Sequence, residues 1–591
     1  MRRLALAAIP FALTGLILAG CTATSNPATS TDTSTAQTAA VVVDSELSAE
    51  AVLAANNDAT VVQDDEWSDA DAVSIDLTGN SATSDSADVT VDGDTVTITA
   101  AGVYRLSGEL AGTVEVAAPD DALVVLILDG ADIQNDSGPA ISVTSADDVA
   151  ISLAAGSENT VADASSYADD AAANAAIYAD TDLTVTGTGS LSVTGNGNDA
   201  VASTDDLAIL SGTIAVTAAD DGLRGKDALL ISGGTVTVTS GGDGLKSDDD
   251  EDATRGYVWI SGGEVTANSG DDAIAAATDA VITGGTVDLT AAASGTEASA
   301  KGIAAGVVVA IDDGSVTVDA TDDAIHSDGS IGIGGGSIEI VSGDDGVHAE
   351  QVLHIRDGQV NITESVEGLE GNDIAISGGA VTVVASDDGI NAAGGTSETS
   401  TETNTETGTA AAGGPGEMAD TGQTLEISGG TVRIDADGDG LDSNGSVTIS
   451  GGDTVVSGPL ADGNGALDAN GEFTVTGGTL LAAGSAGMAV SPGTTSTQAW
   501  IAAAISASAG DTVEVTDSDG NVVATFTLDK DAATVVYSSA DLSDGATYQL
   551  SVNGSSAVEV ATGTALAGGG AGGGAPGGAG GRAPGGGAPR R

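Results

Sequence analysis

The 591-residue chain has one cysteine, ten prolines, 2% aromatic residues and few cations, 14 Lys and Arg against 88 Asp and Glu. Each shortage excludes something. A single cysteine, Cys21, rules out an intramolecular disulfide and a thiolate metal cluster. Scarce aromatics leave no large stacking surface for sugar rings or bases. The net charge of −74 excludes nucleic acid as a partner, because phosphate binding needs clustered Lys and Arg. The one long apolar run, residues 4–18, is too short for a stable membrane-spanning helix.

That run has a different reading. Arg2 and Arg3 precede it, and Leu18-Ala19-Gly20-Cys21 follows. This is the order of an export signal whose last four residues resemble a bacterial lipobox, with Cys21 as the lipid attachment site. The expected location is therefore the outer face of the cell membrane. The lipid is the only membrane contact expected.

What the chain does contain is 86 glycines and short β-branched runs. Between Cys21 and the tail there are nine basic residues, four of them within 224–255. Residues 22–71 are Thr-, Ser- and Ala-rich and read as a disordered tether, 392–422 as a disordered insertion, and 563–591, rich in Gly, Ala and Pro, as a disordered tail. The body falls into 72–495 and a small C-terminal β domain, 496–562.

The body repeats. Asp221-Gly222-Leu223, Asp243-Gly244-Leu245, Asp272-Ala273-Ile274, Asp323-Ala324-Ile325, Asp345-Gly346-Val347 and Asp388-Gly389-Ile390 each open a unit. Many units then run through Ile-Ser/Thr-Gly-Gly-Thr to Val-x-Val. The step is mostly 22 residues, with 29-residue steps near 243–272 and 272–301. A period of this length with internal alternation marks a stacked repeat. No Leu-x-x-Leu-x-Leu frame or helical segment is present. The expected fold is all-β: a right-handed parallel β-helix of three-strand coils, about 22 residues each, with the small β domain behind it.

Gly102-Val103-Tyr104-Arg105-Leu106-Ser107-Gly108, Ile127-Leu128-Asp129-Gly130-Ala131 and the repeated Asp-Asp-Gly-Leu and Ile-Ser-Gly-Gly-Thr-Val units resemble a bacterial family of exported carbohydrate-binding β-helix proteins. The resemblance covers roughly residues 71–560. It implies a likeness to pectate lyases, bound calcium, and binding of polygalacturonate or related acidic polysaccharide, with cellulose also bound in the family.

The residues support this independently. Stacking places Asp221, Asp243, Asp272, Asp323, Asp345 and Asp388 in one column, and Asp220, Asp271, Asp322, Asp344 and Asp387 in a second. Like charges about 4 Å apart repel by roughly 1 kcal/mol in water and about 4 at an effective dielectric near 20. Such columns want a cation, and calcium takes six to eight oxygens. Asp248, in the acidic run 248–252, joins these metal candidates. Asp-Gly is equally good turn chemistry, with glycine entering the left-handed region. His326, His348 and His354 lack metal-ligand spacing in the chain.

Arg224, Lys226, Lys246 and Arg255 are candidates for a uronate carboxylate, the other role open to each being to neutralise the acids around it, and Tyr257 and Trp259, expected to face outward, are candidates for a sugar ring. The expected function is calcium-dependent, non-catalytic binding of acidic polysaccharide by a monomer. A calcium-dependent lyase with Lys226 or Lys246 as a neutral base is the first alternative, and a structural surface protein or adhesin the second.

Overall fold

The computed structural model describes residues 47–168, 171–292, 299–393, 420–555 and 557–566. The export signal with Cys21, the tether up to residue 46, and most of the insertion and tail lie outside the described residues. The described residues belong to one compact unit. Among the described residues a 43-stranded sheet and a 4-stranded sheet account for the strands, and the α-helix is Ala49–Ala55.

Parallel pairing runs from repeat to repeat. Leu223 pairs with Leu245, then Ile274, Ile303, Ile325, Val347, Leu369, Ile390 and Leu441. A second row runs Leu229, Val258, Ala280, Val309. A third runs Val236, Val265, Val287, Val316, Ile338. In each row alternate β-branched or Leu side chains turn inward, so that Leu229, Ile231, Val236, Val238, Val258, Ile260 and Val265 are at most 1% exposed. One apolar core extends from Ile75 to Val536.

The expected regular right-handed parallel β-helix with a separate C-terminal domain is corrected here. The sheet is a closed parallel structure carrying extra strands, not a simple stack of three-strand coils. Asp279–Ala291 and Val308–Ala320 each run through a place where two strands and a corner were expected, because a register shift around Thr283 absorbs the bend within the strand. Antiparallel pairs occur near the start, between Val89–Asp92 and Thr95–Ile98. At the other end Ala532–Ser538 pairs antiparallel with both Thr479–Gly484 and Trp500–Ala507, joining the C-terminal residues to the main sheet. Only Thr512–Thr516, Val522–Thr527, Thr547–Val552 and Val558–Ala561 form the second sheet.

The tether boundary at 71 is also corrected. Ser48 caps the helix Ala49–Ala55 by accepting from the Ala51 amide at 3.2 Å. The segment then crosses the sheet, with Asn56 Nδ2 donating to Asp279 at 2.8 Å, the Thr60 amide to Asp206 at 2.7 Å and the Val62 amide to Thr184 at 3.0 Å. Its apolar residues Val52 and Leu53 cover Val281, Ala310 and Leu230. The cause is visible in the strands: Ala228-Leu229-Leu230-Ile231 and Tyr257-Val258-Trp259-Ile260 are apolar on both faces, and a doubly apolar strand needs cover on its outer side.

Glycine does two jobs, and one differs from expectation. Gly222, Gly244, Gly346, Gly389 and Gly440 of the Asp-Gly units do not have positive φ; the left-handed position is the second glycine of the Gly-Gly pair, as in Gly234 (φ 84°) and Gly263 (φ 88°). In Asp-Gly the need is space, since a Cβ on Gly222 would lie 2.3 Å from Val238 Cγ1 and 2.5 Å from the Gly244 carbonyl oxygen. Gly222→Val is therefore expected to destabilise the chain by about 3 kcal/mol, read as a lower denaturation midpoint, whereas alanine, already present at 273 and 324, costs less. A wild-type midpoint in the valine variant would contradict this packing.

Candidate functional site

The short strands Leu223–Gly225, Leu245–Ser247, Ile274–Ala276, Ile303–Ala305 and Ile325–Ser327 carry two columns of polar side chains. The first is the aspartate column, just before each strand. Its carboxylates are tied into the backbone: Asp199 Oδ1 accepts the Asp221 amide at 3.2 Å, Asp221 that of Asp243 at 2.9 Å, Asp243 that of Asp272 at 3.1 Å and Asp272 that of Lys301 at 2.7 Å. The pattern resumes at Asp323 to Asp345 (3.1 Å), Asp345 to Glu367 (3.3 Å) and Asp388 to Asp439 (2.6 Å). One oxygen of each carboxylate thus satisfies a backbone donor of the next repeat, and the other remains for cations.

Three residues onward lies the second column, in register: Arg224, Lys246, Ala275, Ala304, His326, His348, Glu370, Asn391, Asp442. Lys246 Nζ bridges Asp221 Oδ2 at 2.8 Å and Asp243 Oδ2 at 2.9 Å. Lys301 pairs with Asp322 and lies 3.8 Å from Asp323. His326 Nδ1 is 2.9 Å from Asp323 Oδ2, and His348 Nδ1 is 3.5 Å from both Asp323 and Asp345.

Burial sets the protonation of the column. Asp199 and Asp272 are pushed up to about 7, burial being the main cause and the neighbouring aspartates adding to it. Burial raises Asp243 too, against the opposing pull of Lys246. Asp323 goes the other way: burial would raise it, but His326, His348 and Lys301 together hold it far below the usual carboxylate range. Lys246 is raised, because its bonds to Asp221 and Asp243 outweigh the effect of burial.

Where the second column shrinks to Ala275 and Ala304, an open groove forms between Lys246 and His326, also lined by Asp248, Asp250, Asp272, Lys301 and Asp328. These ends are three repeat steps apart, roughly 14 Å at strand spacing. The floor is small and apolar and the walls carry both signs of charge.

A family model described as a carbohydrate-binding domain-containing protein matches residues 92–346 and 338–463, more than half of the chain. The chain belongs to this carbohydrate-binding family. A carbohydrate-binding domain-containing protein of Acetivibrio thermocellus is 38% identical over 128 residues, which cover 21% of this chain and 45% of that protein. The chain therefore spans less than half the length of this curated relative. A solved structure, described as that of the polysaccharide lyase-like protein from C. thermocellum in a gadolinium derivative, is 31% identical, with a TM-score of 0.35, covering 40% of this chain and 96% of that one.

The other expected site residues of this family member fall into three groups. Asp220, Asp271, Asp344 and Asp387 are exposed in the outer column, but the equivalent of Asp220 in the next repeat is Gly242, so outer acids occupy neighbouring repeats only at Asp322 and Asp344. There, Asp322, Asp323 and Asp344 place carboxylate oxygens within 4.8 Å of one another. Arg224 is engaged by Asp248 at 2.8 Å, Lys226 stands 3.7 Å from Asp249, and Arg255 pairs with Asp227.

Tyr257 and Trp259 are corrected as sugar platforms. Both rings leave the core as expected, yet the segment after Ala49–Ala55 covers them. Tyr257 is 3% exposed and donates to the Asn57 carbonyl at 2.9 Å, and Trp259 Nε1 donates to Thr283 Oγ1 at 2.9 Å. His326 and His348 occupy equivalent positions 22 residues apart in the sequence, and parallel pairing makes them neighbours around Asp323, so the lack of metal-ligand spacing along the chain does not carry over to space. His354 lies elsewhere, buried against Ser377 at 2.9 Å.

Proposed function

We propose that this protein is a non-catalytic, calcium-dependent receptor for acidic polysaccharide of the polygalacturonate type, acting as a monomer held by lipid on Cys21 at the outer face of the cell membrane. The observation that carries the reading is the groove over Ala275 and Ala304, where Lys246 and Lys301 stand beside Asp248, Asp250 and Asp272. An ammonium can meet a uronate carboxylate, and the acids can accept from sugar hydroxyls. Asp322, Asp323 and Asp344, whose oxygens lie close enough to share one ion, are the residues that would hold calcium next to it. All three donors are hard oxygens, which suits calcium. Bound there, calcium would supply a bridge to the sugar's carboxylate.

A lyase needs a neutral base. Lys246 is held as an ammonium by two aspartates, and Lys226 has Asp249 at 3.7 Å. The two aspartates on Lys246 support binding without cleavage.

Calorimetric titration of polygalacturonate is the test. Binding is expected in millimolar calcium, to weaken at least about tenfold in chelator, and to lose its calcium response in Asp322→Asn/Asp344→Asn. Release of unsaturated uronide is expected to stay at background. Equal binding in chelator, or none with any acidic glycan, would reject the reading.

A further inference from the structure

We propose that Asp323, His326 and His348, with Asp345 beside them, form a site for a divalent transition metal of the zinc type, which shares Asp323 with the all-oxygen calcium residues. Asp323, His326 and His348 each bring one ligand atom within 4.8 Å of the others. Metal–ligand bonds of about 2.1 Å in a tetrahedron put ligand atoms about 3.4 Å apart. In the structure Asp323 Oδ2 lies 2.9 Å from His326 Nδ1 and 3.5 Å from His348 Nδ1, and His348 Nδ1 lies 3.5 Å from Asp345 Oδ2. The two rings meet edge to face, with centroids 5.0 Å apart, so both Nδ1 atoms approach Asp323 Oδ2 without the rings colliding.

The far side of each ring adds an independent indication. His326 Nε2 faces Asp328 Oδ1 at 3.2 Å and His348 Nε2 faces Glu370 Oε2 at 3.8 Å. At His326 the carboxylate is within hydrogen-bond distance and fixes the tautomer that leaves Nδ1 free for a metal, while at His348 the longer separation supplies charge alone. The imidazole nitrogens select against calcium, which takes oxygen, and in favour of zinc, cobalt or nickel. Asp323 and Asp345 are 5% and 7% exposed and backbone-anchored through Oδ1, so their Oδ2 atoms are already aimed. The ion would join two adjacent repeats at the end of the groove, where His326 and Asp328 form part of the wall.

The site does not depend on the glycan reading, and its test uses no glycan. Cobalt(II) is titrated into the chelator-stripped full chain. One equivalent is expected to bind with the intense visible absorption of four-coordinate cobalt, which zinc abolishes and excess calcium does not. His326→Gln and His348→Gln are each expected to weaken binding about a hundredfold and Asp328→Asn about tenfold, while Glu264→Gln, an exposed acid on another strand, has no effect. X-ray absorption of the zinc-loaded wild type, which requires no variant to fold, should show two imidazoles in a four-ligand shell. Absence of that absorption, its displacement by calcium, wild-type affinity in both histidine variants, or a shell without imidazole would overturn the site.

Discussion

Stripped of divalent ions, the protein should melt about 5 °C lower at pH 8 than at pH 5, and calcium should recover most of the loss. The buried acids set the sign. Asp199, Asp272, Glu367 and Asp442 are raised to about 7 and Asp439 to about 8, burial being the first cause in each. A raised carboxylate binds a proton in the folded state that the unfolded chain has already released. Its stabilisation is complete below the unfolded value near 4, declines as pH rises from there, and is lost once pH passes the folded value, here about 7 to 8. Asp323 is shifted downward and contributes with opposite sign, but its window lies below pH 4 and does not interfere.

One pKa unit corresponds to about 1.4 kcal/mol. Even about 1 kcal/mol from each of these five groups, well under the nominal shift, is a total of roughly 5 kcal/mol. In a domain this large that is a change of roughly 5 °C. General repulsion among surface acids has the same sign but is screened by salt, so the scans belong in high monovalent salt. Calcium opposes the loss by mass action, through binding to the folded chain at Asp322, Asp323 and Asp344. A melting temperature in chelator that is unchanged or higher at pH 8 would refute the account.

Lys246→Met should be the most damaging single change in the groove. It leaves Asp221 and Asp243, with side chains 9% and 12% exposed, facing each other without their shared ammonium. Breaking a buried pair costs about 3–5 kcal/mol, and with the lysine itself 28% exposed we expect about 2–3. Binding of polygalacturonate should fall with it. Adding Asp221→Asn and Asp243→Asn removes the stranded charges while keeping Oδ1 as acceptor for the next amide. That triple variant should regain stability and still fail to bind, which separates a direct ligand role from a folding defect. Wild-type stability in the single variant, or wild-type binding in the triple, would show that the bridge matters little.

Part of this site was legible in the chain. The 22-residue equivalence of Asp221 with Asp243, and of Asp323 with Asp345, sets which side chains share a column, and parallel pairing preserves that order in space. The step from column to site was not legible. An Asp in a column has two oxygens, and only the structure shows that one is consumed by the next amide. The same holds for cations: the sequence left Arg224 and Lys226 open either to a ligand or to neighbouring acids, and the loop 248–252 folds back and places Asp248 and Asp249 against them. Tyr257 and Trp259 were assigned to the correct face and the wrong environment, because the covering chain lies about 200 residues away in sequence.

The amino-acid sequence by itself determined the all-β character, the repeat, the inward residues and the inner aspartate column, since these follow from alternation and spacing within about 22 residues. Tertiary structure alone decided how the sheet closes, which outer faces the segment 47–71 covers, which carboxylates meet an ammonium or imidazole, and where two alanines open a groove. Those outcomes depend on contacts between segments far apart in the chain, and local periodicity carries no information about which distant segment arrives.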